Sequence, residues 1–310
     1  MTKKTKEAIK TSAVIVLVIA AVLALWIYPL NQSGKIASRP DEPAKAYNPA
    51  DFGLISDSLS LDTEDNIQIS GHFGHAVLDS AASAKGTVFL LHGLFSDGSS
   101  QLAKAATLTA DGFNVIVYDQ RAYGQSGGEY RSGGYFESND LQSIIARLYL
   151  EDRLVRPVII WGEDHGGSAA LRIWREENRI DYVVAENPVV TGRDWQKRVV
   201  AHDELSAPEF MLGLVWWWLK QKSGYEISAE ESDISDHYGW AMLNKEGRFL
   251  TMACGSANTP NNEYIRELKD FGGNWLVVEC ADSSLFENNR DEVYTAVMNL
   301  LVKDTGLTEE

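Results

Sequence analysis

Histidine is scarce in this chain. There are six in 310 residues, and none follows His237. Chemistry that needs an imidazole must therefore draw it from His72, His75, His92, His165, His202 or His237. Cysteine is scarcer still. Cys254 and Cys280 stand alone, with no Cys/His cluster of the zinc kind, so no metal site and no cofactor is expected. Two cysteines say little about redox compartment by count. Positive charge is also in deficit, with 28 Lys and Arg against 44 Asp and Glu, a net charge of -16. That field repels DNA, RNA and anionic lipid head groups, which excludes nucleic acid as an expected partner. Internal repeats are absent. With 45% hydrophobic and 23% charged residues, the composition excludes a disordered chain, and the length suits one large domain or two small ones.

One long apolar run is present. Thr11 to Gly34 carries no charged residue, and Ala13 to Leu30 is almost wholly apolar. As a helix, roughly 18–20 such residues span a hydrocarbon core of about 30 Å. Lys3, Lys4, Lys6 and Lys10 precede the run. The positive-inside rule keeps residues 1–10 cytoplasmic, makes 11–30 a single membrane anchor and exports the rest. Trp26 and Tyr28 fall at the outer interface, while Lys35, Arg39 and Lys45 on the far side weigh against that orientation. A cleaved signal peptide is the alternative, though the run is long and no clean small-x-small site follows it. A buried core helix fits less well, because such helices rarely lack a polar face.

Residues 31–50 are rich in Pro, Ser, Ala and charge and read as a linker. From there, strand and helix signals alternate. Strands are expected at Ser58–Leu61, Ile67–Phe73, Thr87–Leu91, Asn114–Tyr118, Pro157–Trp161, Tyr182–Ala185, Phe249–Ala253 and Trp275–Val278. The first two are joined by a turn at Thr63–Asn66. Helices are expected at Ser99–Ala110, Ser138–Leu150, Gly167–Glu176 and Glu287–Val302. This rhythm predicts a three-layer αβα sandwich on a mostly parallel sheet, with sites at the carboxyl ends of its strands. The domain is expected over 51–303, with a small helical lid at about 190–245 and a solvated acidic tail at 304–310.

Three strand ends carry unusual residues: His92-Gly93-Leu94, then Asp119-Gln120-Arg121-Ala122-Tyr123-Gly124-Gln125-Ser126-Gly127-Gly128, then Gly162-Glu163-Asp164-His165-Gly166-Gly167. In this order and spacing they resemble the α/β-hydrolase superfamily, over roughly Asp51 to Val302. The match is most similar to membrane-tethered, small-lid hydrolases of the serine aminopeptidase-like kind. The resemblance implies a nucleophile elbow, G-x-S-x-G, at a strained strand-to-helix turn. Here the elbow is Gly162 to Gly166, with Asp164 at the nucleophile position. The backbone N–H groups of Leu94 and His165 are the implied oxyanion hole. An ordinary βα turn with a capping Asp is the plainer reading of the same residues.

An aspartate nucleophile has precedent in epoxide hydrolases and haloalkane dehalogenases. A carboxylate attacks an sp³ carbon, and water then cleaves the resulting ester with the help of a histidine base. Such a base contributes roughly 10²–10⁴-fold. The family's His follows the last strand, where this chain has Cys280-Ala281-Asp282-Ser283-Ser284, so Ser283 takes the histidine position. The family's acid follows the preceding strand, where this chain has Gly255-Ser256-Ala257-Asn258, so Asn258 takes the acid position. All three triad positions differ.

Substitutes are few. His72 and His75 read as edge packing, His92 as part of the oxyanion loop, and His165 as pointing away from an incoming base. His202 and His237 lie in the lid region and are the ones able to reach the pocket. Glu163, Glu186 and Asp194 read as solvated or capping carboxylates. Relatives that bind halide commonly place Trp directly after the nucleophile, where this chain has His165. The Trp216-Trp217-Trp218 run reads as lid packing, with a pocket roof or a dip into the membrane interface as alternatives. Cys254 and Cys280 end neighbouring strands and read as buried thiols, a disulfide being the alternative.

The expectation is thus a membrane-anchored hydrolase-fold domain with a degenerate triad, binding an unidentified small molecule or protein through the former site. The alternative is an active hydrolase of esters, amides or epoxides, with Asp164 as nucleophile and a non-standard base. A third reading makes Asp164 a general base on water.

Overall fold

The computed structural model describes all residues except 1, 41–45, 80–81, 175, 206–211, 224–247, 255–273, 279–289 and 306–310. Eight strands form one sheet: β1 (Ser56–Asp62), β2 (Gln68–Gly74), β3 (Thr87–Leu91), β4 (Asn114–Tyr118), β5 (Val158–Glu163), β6 (Tyr182–Glu186), β7 (Phe249–Cys254) and β8 (Asn274–Val278). Their order is β1-β2-β4-β3-β5-β6-β7-β8. The β1–β2 and β2–β4 pairs are antiparallel and the other five parallel. All eight expected strands are present. β3, with sequence TVFLL, is buried at every position, as a strand covered on both faces requires.

Helices pack on the two faces: α2 (Leu102–Ala110), α3 (Tyr135–Leu150), α4 (His165–Trp174) and, last among the described residues, α7 (Arg290–Thr305). One apolar core lies between the sheet and α3–α4, around Phe89, Ile160, Leu141 and Trp174. The other lies between the sheet and α2 and α7, around Val115, Trp161, Leu108 and Val297. At about 25 cal/mol per Å² of apolar surface, these two layers are the main source of stability. Two helices of the expected lid region follow β6: α5 (Gly192–His202), whose Arg198 reaches the carboxyl ends of β5 and β6, and α6 (Gly213–Ser223), which packs on α5.

Several boundaries differ from expectation by a few residues, and three bear on the site. Helix α4 begins at His165, directly after the elbow, because Gly166 and Gly167 let the helix start against the strand. The closing helix runs to Thr305, so the acidic tail begins later. The third difference is the largest. Helix α1 runs from Lys3 to Ala37, well past residue 30 and into the expected linker. It is long and apolar enough to cross a membrane. Its described residues through Tyr28 are exposed, whereas Gln32, Ser33, Ile36 and Ala37 are buried. The last turns form a third cluster with Trp195, Val199, Val215 and Trp216 of the lid helices. The polar look of Gln32-Ser33-Gly34-Lys35 concealed a packed surface whose partner lies about 180 residues away.

Candidate active site

The elbow is built by close approach. Gly162 sits directly under the Gly166 carbonyl, where a Cβ finds no room, and a Cβ on Gly166 would lie 2.8 Å from both the His92 carbonyl oxygen and the Leu91 Cβ. Between them, Asp164 takes φ +46°, in the left-handed region. Such a backbone is uncommon outside glycine, though Asp and Asn adopt it more readily than most. The Asp164 N–H donates to the Glu186 carbonyl at 2.9 Å, and its carbonyl accepts from the Ser168 N–H at 3.1 Å, which fixes the turn.

The Asp164 carboxylate is held from two sides. Arg198 of α5 donates from Nη1 to Oδ1 at 2.9 Å and to the Asn187 carbonyl at 3.0 Å, and its Nη2 lies 2.9 Å from Asp194 Oδ2. On the other side, Oδ2 lies over Gly93, 2.7 Å from where a Cβ would stand, and the nearby Leu94 N–H favours the charged carboxylate. The Asp164 carboxylate thus sits beside the backbone donor expected for the oxyanion hole. Burial pushes the Asp164 carboxyl up to about 6, with Arg198 opposing and Glu163 adding to the rise.

His165 is fully buried, and neither ring nitrogen has a hydrogen-bond partner among the described residues. Its ring stacks on Tyr123 at 5.3 Å and meets His92 edge-on at 5.7 Å, and burial holds it well below the usual imidazole range. His92 is engaged on both nitrogens: Nε2 accepts from the Gln120 N–H at 2.9 Å, leaving Nδ1–H to donate to the Gly93 carbonyl at 2.9 Å. His202 lies flat against Phe95 at 3.7 Å, and its Nδ1 is 2.8 Å from Asp203 Oδ1. His75 pairs with Asp57 and His72 faces Tyr47, both at the β1–β2 edge. Among the described residues, no histidine pairs with Asp164. Asn258, Ser283, Ser284, His237 and Cys280 lie outside the described residues, as does most of the expected lid beyond Ser223.

Two further carboxylates require a correction. Glu186 is neither solvated nor a cap. It is 2% exposed at the end of β6 and accepts from Lys104 Nζ at 2.7 Å and from the Trp161 indole. Lys104, equally buried on α2, also reaches Glu163 at 2.9 Å. An isolated charge is not tolerated at such depth, so α2 supplies the counterion. Lys104 is held protonated by its two carboxylates, and burial pushes Glu186 up to about 7. Asp194 is one-third exposed and pairs with Arg198.

Arg198 and Lys104 are the residues that sequence reasoning missed. For Arg198 there was a signal, since Asp194 and Arg198 are four apart on one helix face. The Asp119–Gly128 stretch is scaffolding. Asp119 accepts from the Gly98 and Gln125 N–H groups at 2.8 and 2.6 Å, and Arg121 Nε donates to buried Asp140 at 2.6 Å. A cavity of about 920 Å³ among the described residues is not lined by Asp164. It lies beside the site, with Leu94 in its wall.

The family model for serine aminopeptidase, S33, matches residues 82–238, just over half of the chain. The uncharacterized protein YqkD of Bacillus subtilis (strain 168) is 28% identical over 142 residues, which cover 45% of this chain and 46% of YqkD. The chain thus spans about half the length of the curated relative it matches. Among solved structures, the Pyrococcus furiosus esterase Pf2001 superposes with a TM-score of 0.66 at 20% identity, covering 86% of this chain and 98% of that one. The α/β hydrolase GrgF from Penicillium sp. sh18 gives 0.60 at 13% identity, covering 82% and 100%. The structural likenesses carry the fold, and the family-model match carries the family. The chain belongs to the serine aminopeptidase (S33) family of α/β hydrolases.

Proposed function

We propose that this protein is a membrane-anchored member of its family whose elbow no longer turns over substrate, and that the region around the former site binds a ligand or partner. The observation that carries the reading is the pairing at Asp164. Its carboxylate is occupied by Arg198, and its Oδ2 lies over Gly93, next to the Leu94 N–H that would otherwise stabilise an oxyanion. Release of an ester formed on Asp164 needs a base, and no described imidazole is in place to act as one. The α1 helix, with four lysines in its first turns ahead of the apolar run, supports an anchor with the N-terminus inside and the domain outside.

A second reading has its own support. The elbow keeps its left-handed backbone, and the Asp164 side chain is 19% exposed, so a nucleophile's geometry persists. Full-length protein in detergent, assayed on esters, amides and epoxides beside Asp164→Ala, separates the two. No turnover by either is expected. Turnover abolished by Asp164→Ala would overturn the proposal. A fluorophosphonate probe is expected to leave the protein unlabelled, and labelling at Ser283 or Ser284 would overturn the assignment of the elbow.

A further inference from the structure

The helix that carries the anchor also walls the cavity. Its continuously exposed apolar stretch runs to Tyr28, and Leu30, two residues and about 3 Å of helix rise further on, lines the space together with Gly34 and Ser38. This end is stitched to the domain. The Arg131 N–H and Nε donate to the Ala37 and Ile36 carbonyls at 2.8 and 3.0 Å, and the Arg39 N–H donates to the Glu129 carbonyl at 2.8 Å. The Trp218 ring of α6 stands 3.0 Å from where a Gly34 Cβ would be. The cavity therefore begins at the level where the apolar surface of α1 stops.

Its lining has two characters. Leu94, Phe95, Leu205 and Trp218 give it apolar walls. The charged lining is Lys35, Arg39 and Arg131 against Asp97 and Asp203. Asp203 is matched by Arg131 at 3.2 Å, and Asp97 accepts from the Ser99 N–H at 2.9 Å. Arg39 donates to the carbonyls of Ser126 and Gly124, so its charge meets no carboxylate among the described residues, and neither does that of Lys35. In a chain of net charge -16, the sign reverses here. Apolar walls, a cationic rim and a volume within the range of about 300–1,000 Å³ for ligand sites specify an amphiphile with an anionic head.

We infer that this cavity takes an anionic amphiphile from the adjoining bilayer leaflet, with its carboxylate or phosphate head between Lys35 and Arg39 and its chain along Phe95 and Leu205. The inference rests on the anchored reading above. It does not involve Asp164, although Leu94 belongs to both places and would pass occupancy from one to the other.

The test uses the full chain in nanodiscs of neutral phosphatidylcholine, a fatty acid bearing a diazirine near its chain end, and peptide mapping after photolysis. Label is expected on peptides carrying residues 94–97 and 202–205, and on the apolar stretch 13–28. Lys35→Glu alters an exposed side chain and Leu205→Trp fills the space. Each should lower cavity label by about five-fold or more and leave the 13–28 label unchanged, with thermal unfolding confirming both variants folded. Competition by oleate against lysophosphatidylglycerol assigns the head as carboxylate or phosphate. Label on 13–28 with none in the cavity, or cavity label unmoved by both variants, overturns the inference and leaves the anchor standing. Absence of label from 13–28 overturns the anchor itself.

Discussion

Two ion pairs stand at the ends of adjacent strands, and they differ in depth. Glu163 and Glu186 are register partners across β5 and β6, and Lys104 joins both from below. In the Lys104–Glu186 pair both side chains are 2% exposed, and Lys104 Nζ also lies 4.5 Å from the Trp161 ring centroid. One residue on, Asp164 turns the other way and meets Arg198, with exposures of 19% and 24%. The first pair ties two strands to α2 and belongs to the frame. The second ties the frame to a lid helix, at a place where water and ligands reach. Burial raises both carboxylates, but only the elbow pair is placed to open without breaking the sheet.

Removing Lys104 should have the largest effect. Lys104→Met leaves Glu186 buried without its cation and is expected to cost about 3–5 kcal/mol in urea denaturation at pH 8. Adding Glu186→Gln should recover most of that, and a loss below about 1 kcal/mol would place the pair outside the frame. Next comes Asp164→Asn. In the native state Asp164 titrates at about 6, above its ordinary 3.8. Between those values the folded chain holds a proton that the unfolded chain has released. Stability therefore falls as pH rises from about 4 to about 6 and is level above that. The variant should lose this slope and gain on the order of 1–3 kcal/mol relative to the parent at pH 8, read by denaturation across pH 4.5–8. Arg198→Ala works in the opposite direction. With its opposing cation gone, Asp164 should titrate higher, and the chain should lose about 1 kcal/mol above pH 7. The exposed Arg147–Glu151 pair on α3 sets the lower end, where Arg147→Ala should cost only about 0.3–0.5 kcal/mol. A comparable value for Arg198→Ala would reduce the elbow pair to surface decoration.

The sheet was legible because buried parallel strands leave short apolar runs, and TVFLL or NVIVY admits few other readings once turns bound it. The elbow was legible because Gly162 lies against Gly166 and Gly167, a contact local in sequence. What stayed hidden depends on partners distant in sequence. Nothing local to Glu186 announces Lys104, 82 residues earlier, and nothing local to Asp164 announces Arg198, 34 residues later. Gln32 and Ser33 look like linker until α6 covers them. The Asp119–Gly128 motif was recognisable as a strand end, but its work of holding neighbouring backbone amides shows only in three dimensions.

The stitching of Ile36 and Ala37 to Arg131 bears on how the protein is prepared. A fragment begun after Pro40, the natural cut for a water-soluble version, would lose the Ile36 carbonyl that holds a guanidinium only 2% exposed and the Ala37 carbonyl that holds the same residue's N–H, together with one side of the cavity. Arg131 would keep Asp203 and Tyr123 but gain solvent, and Trp218 would lose the helix it lies against. Binding measured on such a truncation would describe a wider, wetter space than the one the whole chain encloses.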